Sequence, residues 1–187
     1  MKAVVILLAA GLFMNAISAC RSNVEAGKLP GTENDDFSVA GRDMTLVAYN
    51  NQCAVLPKGE NADQVLLDLE PPCYVLMWSA APPEADTNFS DGIPVGTVGE
   101  VMAWRYPGAG DIVVTAIIGD AVPEHLQGSE DERMLTRRGW HCRGSVQALV
   151  VDGLHVRAGT KRAGVGLICA ESGMDEKGYW LLAHPTK

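Results

Sequence analysis

Apolar residues in this chain come in short runs of Val, Ile, Leu and aromatics, each ended by Gly or Pro, a pattern that favours strands over helices. Candidate strands are Met44–Tyr49, Val65–Leu69, Tyr74–Trp78, Thr97–Trp104, Ile112–Ile118, Val146–Val151, Leu154–Ala158, Gly164–Cys169 and Tyr179–Ala183. Asp152-Gly153 supplies two residues suited to positive φ, predicting a hairpin that pairs Val151 with Leu154. That register puts Leu149, Val151, Leu154 and Val156 on the core face and Val150, His155 and Arg157 on the other. A second reversal is expected at Glu171–Gly178, with the chain returning as a strand through Tyr179. One helix fits Pro123–Leu135, although Gly128 interrupts it at a cost of about 1 kcal/mol and a charged loop fits as well. The expected fold is mainly β: an antiparallel β-sandwich or meander stapled by disulfides, with room for one short helix.

The N-terminus sets the compartment. Lys2 precedes an apolar run, Ala3–Met14, and Ile17-Ser18-Ala19-Cys20 follows with small residues before a cysteine. The run is too short for a span of about 20 residues. The tetrapeptide resembles the lipobox of bacterial lipoproteins. This resemblance implies cleavage after Ala19, diacylation of the Cys20 sulfur, and a body held at the membrane by lipid alone. Arg21, in place of an Asp, is similar to lipoproteins sent to the outer membrane, which predicts a periplasmic-facing anchor there. The expected organisation is a signal peptide at 1–19, a tether at 20–37 rich in Gly, Pro and polar residues, and one β-rich domain at 38–187.

With Cys20 assigned to lipid, Cys53, Cys73, Cys142 and Cys169 remain, an even number in an oxidising compartment. Three connectivities are open. Cys53–Cys73 with Cys142–Cys169 is favoured, because each pair stays within one half of the chain and closes a moderate loop. Each such loop corresponds to roughly 3 kcal/mol in the chain-entropy model.

The formal net charge is −8, and removing residues 1–19 takes away only Lys2. Residues 20–100 hold 4 Lys/Arg and 13 Asp/Glu, whereas 101–187 hold 10 of each. This distribution argues against nucleic acid, which requires clustered cations, and against docking on anionic headgroups. It suits a basic protein partner, or solubility alone.

Catalytic patterns are wanting. No G-x-S-x-G or H-E-x-x-H occurs, and His125, His141, His155 and His184 are dispersed. His141 beside Cys142 could activate a thiolate, but a disulfide at Cys142 would remove it. Asp86–Gly92 places Asp86, Asn88 and Ser90 at positions 1, 3 and 5 of a calcium-loop template. Asp91 then stands where glycine is needed and Thr97 where a bidentate Glu should be, so an exposed recognition loop around Phe89 is the better reading. Trp104-Arg105-Tyr106 has an interface composition, with a core edge as the other reading. The partner-binding candidates are therefore Phe89, Asp91, Arg105 and Tyr106, with no catalytic residue, cofactor or metal expected.

In architecture the chain resembles periplasmic immunity lipoproteins paired with secreted antibacterial effectors, and secondarily envelope lysozyme inhibitors. The resemblance implies a non-enzymatic protein whose partner is a secreted antibacterial effector enzyme. A structural or assembly lipoprotein of the envelope is the alternative.

Overall fold

The computed structural model describes residues 36–59, 62–83, 92–164 and 166–184. Its first four strands form one antiparallel sheet in chain order: β1 Asp36–Val39, β2 Arg42–Tyr49, β3 Gln52–Pro57 and β4 Val65–Leu66. Two tight turns set its register. Ala40 and Gly41 have φ of 51° and 73°, and Asn50 and Asn51 have 47° and 62°, the positive pairs that a two-residue hairpin loop requires. β3 and β1 were not among the expected strands. β1 also takes Asp36 and Phe37 out of the segment read as tether, and Phe37 joins the core.

Ala40 is the misfit among these turn residues, because its Cβ crowds the backbone in the left-handed region. Ala40→Gly is expected to raise stability by about 0.5–1 kcal/mol, the relief of strain outweighing the added freedom of the unfolded chain. The check is a higher urea midpoint at unchanged slope; a lower midpoint contradicts it.

The larger sheet has six strands. β5 Tyr74–Val75, β6 Ile93–Val95, β7 Ala103–Tyr106, β8 Ile112–Gly119, β10 Ser145–Asp152 and β11 His155–Arg162 assemble in the order β11-β10-β8-β7-β6, with β5 also on β8. β9 Cys142–Arg143 pairs separately with β12 Ile168–Cys169. Phe37, Met44, Leu46 and Val55 of the small sheet meet Val75, Val113, Ile117, Leu149 and Val151 of the large one in a single interlayer core. The opposite face of the large sheet is covered by a helix, α2 Glu176–Ala183, through Tyr179 and Leu182. The molecule thus has three layers. β8 is buried along its whole length and β10 up to Asp152 because both faces are covered, which is why their sequences are apolar without alternation.

Several sequence expectations are corrected by this arrangement. Tyr179–Ala183 is helical, not a strand. Asp175 caps the helix by accepting from the Gly178 N–H at 2.8 Å, and the buried pair is Tyr179 and Leu182, three apart, while Trp180 is 38% exposed. Thr97–Trp104 contains a turn, Glu100 N–H donating to the Thr97 carbonyl, and the strand starts only at Ala103. The Asp152-Gly153 hairpin exists, but one residue later: Val151 pairs with Val156 and Asp152 with His155. Gly153 therefore takes the first central position of the loop, with φ of 54°. Leu154 becomes the exposed tip, and Val150 is buried under α2's side of the sheet.

Gly128 does break the expected helix. With φ of 69° it ends a short 3-10 turn at Glu124–Leu126, and the helix proper, α1 Glu130–Arg137, begins after Ser129. Ser129 Oγ accepts from the Glu132 N–H at 3.1 Å, and the Glu132 carboxylate accepts from the Gly128 N–H.

Both favoured disulfides are present. Cys53–Cys73 ties β3 of the small sheet to the approach to β5 of the large one, and Cys142–Cys169 joins β9 to β12. Side chains add further ties across the layers. The buried amide of Gln147 accepts from the Asp68 N–H at 2.7 Å and donates to the Gly159 carbonyl at 3.2 Å. Asp120 accepts from the Glu70 N–H at 2.7 Å and pairs with Lys161 at 3.0 Å.

Burial by itself would raise the Asp120 carboxyl, but the Glu70 N–H, Ser145 and Lys161 together hold it below its ordinary value of 3.8. A depressed carboxylate contributes stability above its unfolded value, and this is lost as pH falls through the depressed one. Asp120→Asn is accordingly expected to cost about 1 kcal/mol at pH 7. The gap between variant and wild type should close toward pH 2, measured by denaturant titration across pH; a gap that persists undiminished in acid contradicts the assignment.

Candidate functional site

Of the sequence candidates, Arg105 and Tyr106 lie on β7 of the large sheet, beside its edge strand β6. Phe89 and Asp91, and with them most of the calcium-loop pattern at 86–92, lie outside the described residues. Gly92 is the first described residue after that stretch. A Cβ there would sit 2.9 Å from Glu176 Oε1, 3.0 Å from the Tyr106 ring and 3.2 Å from the Trp104 ring. Those aromatics thus form the seat on which the chain enters β6.

Tyr106 is not a surface anchor. It is fully buried, beneath α2, with its ring edge-on to His184 at 5.6 Å between centroids. Burial pushes its phenol far above the ordinary value of 10.0, the nearby Glu176 carboxylate acts in the same direction, and the group stays neutral. The reason lies in the pleat: Trp104 and Tyr106 share the helix-covered face of β7, and Arg105 between them points away and is exposed. Arg105 forms a two-point pair with Asp111, at 2.6 Å and 2.5 Å. The Arg105 guanidinium holds the Asp111 carboxyl below its usual range. A candidate surface residue therefore remains at 105, already oriented by its neighbour.

Two concavities flank the Ala40–Gly41 turn. One, of about 480 Å³, opens between β1 and the β6–β7 edge; its walls include Phe37, Met77, Val95 and Val101, with Asp36 and Glu100 supplying acid. The other, of about 360 Å³, lies between Ala40, Val95, the Arg105–Asp111 pair and Gly153. Beside it the β10–β11 tip lifts Leu154 to 80% exposure, and Arg42 Nε donates to the Gly153 carbonyl at 3.2 Å, bracing that tip.

His141 and Cys142 do not form a nucleophilic pair, because Cys142 is bonded to Cys169. The His141 ring instead meets Glu171 at 2.5 Å and lies on Tyr74, 4.6 Å between ring centroids. Among the described residues no group of three His, Cys, Asp or Glu could hold a metal, and no helix is long and apolar enough to cross a membrane.

Sequence reasoning passed over the outward side of the small sheet. Its signal was legible in Met44–Tyr49, where both phases of the alternation are largely apolar, Met44, Leu46 and Ala48 on one and Val47 and Tyr49 on the other. No family model, curated protein or solved structure matches the chain.

Proposed function

We propose that this chain is a lipid-anchored protein of the bacterial envelope that neutralises a secreted antibacterial effector enzyme by binding it directly. The observation that carries this reading is a lipobox-like tetrapeptide ending at Cys20 ahead of a small antiparallel domain stapled by two disulfides. Such a domain presents its surfaces with little conformational freedom to lose on association, which favours tight blocking of a partner. The excess of carboxylates in residues 20–100 suits a basic effector and predicts an association rate that falls as salt rises.

A strain lacking the gene, grown against effector-secreting siblings, is the test. Loss of the gene should sensitise the strain, and wild-type protein should restore protection and carry acyl mass on its N-terminal peptide. Cys20→Ser should remove that mass. Survival without the gene, together with recovery of envelope-assembly components as the specific partners, would replace this reading with a scaffold role.

A further inference from the structure

The small sheet is covered on one side only, by the large sheet, and the outward side of such a sheet is ordinarily polar. Here it is not. The register aligns Val47, Ala54 and Leu66 across β2, β3 and β4, with Thr45 opposite Leu56 beside them. None of these joins the interlayer core, which takes the alternate residues Met44, Leu46, Val55 and Val65 from the same strands. Ala54 is nonetheless fully buried, while Leu56 and Leu66 stand 37% and 50% exposed. Val47, Ala54, Leu56 and Leu66 make an apolar strip on a hydrogen-bonded sheet.

The charge around the strip is one-sided. Among the described residues from Asp36 to Glu70 there are five carboxylates, Asp36, Asp43, Asp63, Asp68 and Glu70, all exposed, against two cations. Lys58 is paired with Asp36 at 3.0 Å, Arg42 is turned toward the Gly153 carbonyl, and Lys161 of β11 lies 3.6 Å from Asp68, which leaves Asp43, Asp63 and Glu70 without a salt bridge among the described residues. An apolar strip with an acidic rim fits a protein surface whose apolar centre is ringed by Lys and Arg, and a second copy of this acidic face would repel it.

We infer that the outward face of β2–β4 is where the effector docks, through a cation-ringed apolar patch, with Leu66 as the central contact. This rests on the reading of the chain as a neutraliser. Association would be steered by the carboxylates and held by the leucines, so salt should slow binding and truncation of the strip should speed release.

The test places a benzophenone amino acid at Leu66, and separately at Trp180 on the opposite outer layer, in the full lipidated protein of cells exposed to effector-secreting siblings. Illumination should join position 66, and not position 180, to the effector. With that effector purified, Leu66→Asp and Leu56→Ser should each weaken binding, the former by about thirtyfold or more, while Trp180→Ala stays within about twofold. Thermal midpoints measured alongside show that the variants are folded.

Crosslinks from position 66 to a second copy of this chain overturn the inference. So does protection that persists with unchanged affinity in both leucine variants, an outcome that leaves the neutralising role intact and moves the surface elsewhere. If the gene confers no protection, the functional reading falls and the docking face falls with it.

Discussion

Replacing Tyr106 by alanine is expected to lower the stability of the fold by about 3–5 kcal/mol, the range for truncating a large buried aromatic. The side chain is wholly enclosed, holds His184 edge-on at 5.6 Å and forms part of the seat for Gly92, so its loss opens a cavity between α2 and β7. Arg105→Ala next to it should leave stability nearly unchanged, because its pair with Asp111 is solvent-exposed. Urea unfolding of the two variants separates the roles of adjacent residues. Unchanged stability in Tyr106→Ala with impaired partner binding would return Tyr106 to the surface role that its composition suggested.

Removing either disulfide as a pair of alanines, Cys53 with Cys73 or Cys142 with Cys169, is expected to cost about 2–5 kcal/mol. The sequence separations are 20 and 27 residues. Such a loss is a large share of the 5–15 kcal/mol typical of a whole domain. The two bridges act at different places. Cys53–Cys73 crosses between the sheets, so its loss should loosen the small sheet and the apolar strip on its outer side; Cys142–Cys169 secures the ends of β9 and β12. Alkylation under non-reducing conditions checks the framework directly. The folded protein should label at none of these four cysteines, and labelling at all four would reject both bridges.

The fold class was legible because most strands declare themselves locally. Ile112–Gly119 and Ser145–Asp152 are unbroken apolar runs, and such runs form the central strands of a covered sheet. The candidate site was legible only in part. Arg105 lies on the surface as its composition suggested, but the one-residue step to Tyr106 reverses exposure, and the phase of a pleat depends on which sheet face is covered. The outward leucines were hidden for a related reason: Leu56 and Leu66 belong to different strands and become neighbours of Thr45 and Ala54 only through the register.

What the sequence determined by itself is chemistry confined to a few neighbouring residues. It includes the resemblance of Ile17–Cys20 to a lipobox, a hairpin reversal that the structure places one residue beyond Asp152-Gly153, the break at Gly128 and the favoured pairing of cysteines within each half of the chain. Tertiary structure decided what depends on distant partners. Tyr179-Trp180-Leu181-Leu182 has enough β-propensity to read as a strand, yet a helix capped by Asp175 lets Tyr179 and Leu182 close the outer face of the large sheet, with the Tyr179 hydroxyl donating to the Met102 carbonyl at 3.1 Å. Propensity differences of a few tenths of a kcal/mol per residue are small beside the burial of two large side chains, so packing chose the helix.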